Sequence, residues 1–123
     1  MPTQIISSER MFQIWQYTVG HSQLLLRSTK SPTSPTRIDV LFKGVTQFHL
    51  PTSFTGLSLA EGTDAEVPEL CILREFPPFD KDVKVFTVKG SDFLGYVTAL
   101  IAVCHEDEGE YDDPSFFSKN NIL

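Results

Sequence analysis

Cysteine is scarce: Cys71 and Cys104 are the only two among 123 residues, each inside an apolar run. Two such thiols cannot make the disulfide framework of a small secreted scaffold, and both are expected as buried free thiols acting as small hydrophobes. Long apolar runs are missing as well. A membrane helix needs about 20 predominantly apolar residues. The longest candidate, Val97 to Cys104, is much shorter and is interrupted by Thr98. The opening stretch from Met1 to Arg10 lacks a basic region followed by an apolar one, so no secretory signal is read and the expected address is cytoplasmic. The glycines are scattered as Gly20, Gly44, Gly56, Gly62, Gly90, Gly95 and Gly109, without a phosphate-cradling or dinucleotide spacing. They read as turn residues.

Positive charge is thin where negative charge is dense. Residues 1–60 carry five bases (Arg10, Arg27, Lys30, Arg37, Lys43) against two acids (Glu9, Asp39), a balance of +3. Residues 61–123 carry five bases (Arg74, Lys81, Lys84, Lys89, Lys119) against fourteen acids, a balance of −9, and the whole chain is at −6. Without a concentrated basic stripe there is no electrostatic footprint for a phosphate backbone, so nucleic acid is not an expected partner. A basic protein would be steered toward the second half.

What is present is a globular composition, 41% apolar and 21% charged, in a chain of single-domain length. The period from Met11 to Leu50 is close to two, rich in β-branched and aromatic residues, which predicts strands. Strands are expected at 11–19 and 23–29, joined through Gly20-His21-Ser22 with the glycine able to take positive φ. The Pro32 and Pro35 segment is a loop. Arg37 to Lys43 alternates cleanly: Ile38, Val40 and Phe42 form a core face, opposite a mostly wet face of Arg37, Asp39, Leu41 and Lys43. Gly44 then suggests a second hairpin into 45–50, with Thr46, Phe48 and Leu50 inward, and 57–59 is a short further candidate. Residues 69–76 suit either a short helix from Pro68, the preferred reading, or a buried strand. Strands follow at 83–89 and 95–105, the latter apolar on both faces and therefore expected in the centre of a sheet. No repeat of 20–50 residues is visible. The expected fold is one mainly β domain over 1–123, an antiparallel β-sandwich or open β-barrel of about seven strands, with 106–123 as an acidic C-terminal loop or tail in which Phe116-Phe117 is the available tether.

The strongest polar cluster is Glu106, Asp107, Glu108, Glu110, Asp112 and Asp113, adjoining His105. Crowded carboxylates suit Ca²⁺, or a transition metal with the imidazole, but EF-hand and Cys/His zinc spacings are absent. The preferred reading is a solvated turn or a patch facing a partner, and no metal or cofactor is assigned. His21, His49 and His105 sit near predicted strand ends without a spacing that requires them to meet. His21 and Ser22 are adjacent, would point to opposite faces of a strand and lack a nucleophile elbow, so they are not a catalytic pair. Neither cysteine has a basic or glycine-rich context that would lower its pKa. Arg27, Arg37 and Asp39 are expected as an outward cross-strand charge cluster, contributing about 0.2–1 kcal/mol per pair. Trp15 and Tyr17 are placed on one shared face opposite Phe12 and Ile14: core if the sheet is sandwiched, a binding patch if it is single-layered there.

The string His21-Ser22-Gln23-Leu24-Leu25-Leu26-Arg27-Ser28, followed by Arg37 to Val45, resembles a group of small bacterial proteins of unknown function, and Gly95-Tyr96-Val97 through His105-Glu106-Asp107 to Gly109-Glu110-Tyr111 is similar to the C-terminal part of the same group. The resemblance spans most of the chain and implies no reaction, cofactor or catalytic residue. The leading functional expectation is a non-enzymatic binding module, immunity-like in its small, acidic, cytoplasmic character, whose acidic half meets a protein partner. The alternative is a small-molecule or metal-binding β-barrel with hydrolase or isomerase activity near the histidines. A homo-oligomer using a sheet edge or the Trp15 and Tyr17 face is a third.

Overall fold

The computed structural model describes residues 3–61, 83–110 and 112–119; the ambiguous segment 69–76 and Cys71 lie outside them. The fold is mainly β. Eight strands, β1 (Thr3–Thr18), β2 (Gln23–Ser28), β3 (Arg37–Lys43), β4 (Gln47–His49), β5 (Ser53–Glu61), β6 (Lys84–Lys89), β7 (Leu94–Ala99) and β8 (Ile101–Asp107), form one antiparallel sheet in the order β4-β7-β6-β5-β1-β2-β3-β8. A single helical turn, Phe116–Lys119, follows.

The ends of that order are joined by the chain itself. β3 leads to β4 through Gly44, and β7 leads to β8 through Leu100 alone, so the unclosed sheet bends back on itself at this corner, in the manner of a sandwich or an open barrel, its curled body termed the barrel. The corner is stitched by Leu100 N–H donating to Lys43 O at 3.0 Å and Thr46 N–H donating to Thr98 O at 2.9 Å. Gly44 has φ +70, and a Cβ there would stand 2.6 Å from Leu100 Cδ1, so the bend favours glycine and any side chain would have to displace Leu100. The expected second hairpin is therefore not formed: β4 pairs with β7, not with β3. The expected central strand at 95–105 is two strands, broken where Leu100 turns its side chain into solvent (45% exposed), and β8 lies at the end of the sheet.

The interior is filled from β1, β2, β3, β5, β6 and β7: Phe12, Leu24, Leu26, Val40, Phe42, Leu59, Phe86, Val88 and Val97 are all buried in one cluster. β1 is longer than its expected 11–19 because register shifts between Gln4 and Ile6 and between Ser8 and Met11 break the alternation while the pairing with β5 continues. The β1–β2 turn also differs. Positive φ falls on His21 (φ 63) and Ser22 (φ 48) rather than on Gly20, and their carbonyls are anchored by Gly44 N–H and Val45 N–H.

The outer face of β2 and β3 is not wet. Leu25, Arg27, Arg37, Asp39 and Leu41 are all buried, because the chain after β8 folds back over them and sets Phe117 (3% exposed) against Leu25 and Leu41. This second layer departs from the single core face expected for β3, because alternation alone leaves its outward residues to solvent.

Candidate functional site

The C-terminal strap and the ionic layer beneath it form the most elaborated polar feature among the described residues. It begins with strand pairing: Arg27 lies opposite Asp39, and Arg37 opposite Asp107, so two arginines and two aspartates share the outer face of β2, β3 and β8. Arg27 Nε and Nη2 donate to Asp39 Oδ1 and Oδ2 at 2.7 and 3.0 Å, a bidentate pair with both side chains at 1–2% exposure. Its guanidinium lies 4.9 Å from the Trp15 ring centroid, in cation–π geometry. Arg37 Nε and Nη2 donate in the same way to Asp107 at 2.8 and 3.2 Å.

Arg37 then turns its remaining donors on the strap backbone. Nη1 donates to the carbonyls of Glu110 (3.1 Å) and Asp113 (2.7 Å), and Nη2 to that of Pro114 (3.0 Å); Arg27 Nη1 adds a bond to Asp113 O at 3.1 Å. Gly109 makes the close approach feasible, since a Cβ there would sit 2.6 Å from Arg37 Cζ. The strap is also bonded to itself: Asp107 Oδ1 accepts from Gly109 N–H, Asp113 Oδ2 accepts from Glu110 N–H, and Ser115 Oγ accepts from Phe117 N–H. His105 stacks on Phe116 with ring centroids 3.7 Å apart.

The electrostatic consequence is clear at Asp107. Its hydrogen bonds from Arg37 hold the carboxyl down at about 2, against an ordinary 3.8, overcoming the opposing effect of desolvation. The same bond to Asp107 raises the Arg37 guanidinium above its usual value. The covered outer face thus holds two ion pairs whose arginines act as anchors.

The acidic residues singled out by sequence divide into two sets. Asp107 pairs with Arg37, and Asp113 accepts from Glu110 N–H through its carboxylate and from both arginines through its carbonyl, so both are consumed in holding the strap. Glu106, Glu108, Glu110 and Asp112 are exposed. Glu106 accepts from Thr36 Oγ1 at 2.5 Å and lies 3.8 Å from Arg10 Nη2, while Glu110 meets Lys30 Nζ at 3.2 Å. Glu106 and Asp107 belong to β8, so the irregular segment begins two residues later than expected.

Trp15 and Tyr17 do not share a face. A register shift between Ile14 and Gln16 restores Tyr17 to the position opposite Leu24, where its ring meets Phe48 at 6.2 Å at one end of the barrel, and leaves Trp15 on the outer layer beside Arg27. Cys104 is a free, exposed thiol rather than a buried one, although partial burial still pushes its pKa up. His21, His49 and His105 lie on the β1–β2 turn, β4 and β8; His49 stacks on Tyr96. Among the described residues no three His, Cys, Asp or Glu side chains gather into a group able to hold a metal ion.

No family model, curated protein or solved structure matches this chain. Among the described residues no helix is long and apolar enough to cross a membrane.

The residues that sequence reasoning missed are Arg27, Arg37 and Asp39, assigned to an ordinary surface cluster. A signal was available: Leu25 and Leu41 share their outward face, and an apolar pair flanking charges on adjacent strands marks a face that something covers.

Proposed function

We propose that the protein is a non-enzymatic binding module that meets a basic protein partner through the outer side of its C-terminal strap. The observation that carries this reading is the division of the acidic cluster. Arg37 fixes the strap through three carbonyls and one carboxylate, which leaves Glu106, Glu108, Glu110 and Asp112 outward on a frame that needs little further ordering. A preordered surface spares the partner much of the entropy of fixing a loop, and its negative balance, with Glu108 and Asp112 outward beside the Glu106–Arg10 and Glu110–Lys30 pairs, favours productive encounter with a basic surface. Trp15 and Tyr17 contribute differently: Trp15 stiffens the ionic layer, and Tyr17 offers an exposed ring at the barrel end. A toxin-neutralising, immunity-like role in a bacterial cytoplasm is one concrete form of the reading, supported by small size and acidity.

The test compares the wild-type chain with a variant neutralised at the four outward positions (Glu106→Gln, Glu108→Gln, Glu110→Gln, Asp112→Asn) as bait in native lysate at low and high salt. The expected result is a stoichiometric partner, basic by its identified sequence, held at low salt, weakened at high salt and lost by the variant. Recovery of no stoichiometric partner, or of one held equally by both baits, would sink the proposal.

A further inference from the structure

A separate cavity of about 370 Å³ opens between Met11 of β1, Pro51 and Ser53–Thr55 at the start of β5, and Asp92 and Phe93 in the β6–β7 turn. Its size is at the lower end of the roughly 300–1,000 Å³ of small-ligand sites. The wall is fixed in place. Ser91 N–H and Ser91 Oγ both donate to Thr55 O at 2.9 Å, and Gly90 N–H donates to Phe93 O at 3.0 Å, tying the turn to β5. Phe93 packs edge-on against Phe54 at 4.9 Å, and a Cβ at Gly90 would collide with the Phe93 ring. Gly56, at φ +83, lets the turn settle, since a Cβ there would lie 3.2 Å from Ser91 Oγ.

The described lining residues are of two kinds: Met11 (48% exposed), Pro51, Phe54 and Phe93 are apolar, and Ser53, Thr55 and Asp92 carry polar side chains. Among the described residues no basic residue lines the cavity and Asp92 has no ion-pair partner. The carboxylate accepts only, and each hydroxyl can accept as well as donate, so the three residues can offer acceptors to a primary ammonium, which has three N–H donors and no acceptor.

We propose that this cavity binds a primary alkylammonium group on an apolar stem. The stem lies on Met11, Pro51 and Phe93, and the ammonium is held by Asp92 with Ser53 and Thr55. The site shares no residue with the strap, so it stands or falls apart from the function proposed above. Two sources carry this chemistry, a free small amine and a lysine side chain of a protein.

Amide NMR of the full chain tests it, with hexylammonium, hexanol and hexanoate as probes beside a capped peptide holding one lysine between leucines. The expected result is saturable shifts at Thr55, Asp92 and Phe93 with hexylammonium in the millimolar range, and none with hexanoate. Loss of the charge pair, by hexanol or in the Asp92→Asn variant, should weaken binding by about fivefold. Saturation by the amine alone identifies a small-molecule site, and saturation by the peptide identifies a lysine side chain as an occupant. No saturable shift with either cation, equal binding of hexanol and hexylammonium, or unchanged affinity in Asp92→Asn would overturn the proposal. Because Asp92 is an exposed turn residue, the variant's unchanged spectrum elsewhere reports that it has folded.

Discussion

Asp39 and Glu110 show how far burial changes the worth of one carboxylate. Both pair with a cation, but Asp39 and Arg27 are withdrawn from water, whereas Lys30 and Glu110 lie at the surface. Replacing Asp39 with Asn leaves Arg27 without its counter-charge, and urea unfolding should show a loss of about 3–5 kcal/mol. Glu110→Gln should cost less than about 1 kcal/mol. Comparable losses would contradict the buried ionic layer. Asp107 adds a pH signature. Its folded value of about 2 lies below the ordinary 3.8, so ionised Asp107 contributes stability that is fully present above the ordinary value and drains away as pH falls toward the folded one. Carboxyl NMR should place Asp107 near 2 in the wild type and closer to its ordinary value in Arg37→Met; an unshifted wild-type Asp107 would refute the pairing. These charges were legible in the sequence as a cross-strand cluster but not as a buried one. Alternation tells which side of a strand a residue occupies and leaves open whether a remote segment covers that side.

At the scale of elements, apolar and β-branched runs between turn signals located β2, β3 and β6 closely, because the β2–β3 and β6–β7 pairings run without a register shift. Periodicity failed where the chain bends or bulges. Leu100 continues the apolar pattern of its neighbours, so nothing local announces that β7 and β8 belong to opposite ends of the sheet. The parity change between Ile14 and Gln16 separates Trp15 from Tyr17 in the same silent way. The corner makes a sharp prediction. Gly44→Ala combines positive φ with a collision against Leu100, and should destabilise the chain by about 1–3 kcal/mol. Gly20→Ala, where an added Cβ meets nothing within 4 Å, should stay within about 0.5 kcal/mol. Thermal melts of the two variants decide it, and equal effects would mean that the Gly44 bend is not required.

At the scale of the molecule, a curled sheet with a filled interior carries an outer layer that one terminal strap completes. Among the described residues the strap's apolar contacts are chiefly those of Phe116 and Phe117, and the arginines hold its backbone. This arrangement was only half legible: the acid-rich composition of 106–113 and the aromatic pair after it were evident, but the partners that hold the segment lie some 70 to 86 residues away in sequence. Gly109→Ala, which sets a methyl group against Arg37, should loosen the strap while sparing the barrel. The most direct test of the account is amide hydrogen exchange of the wild type beside Arg37→Met. Gly109, Glu110, Asp113 and Phe117, whose amides are all donors within the strap, should be protected in the wild type. In Arg37→Met they should exchange near unprotected rates while Leu26, Val40 and Val88 stay slow. Strap amides that exchange freely in the wild type, or that are indifferent to loss of Arg37, would contradict the claim that the arginines hold the acidic surface in place.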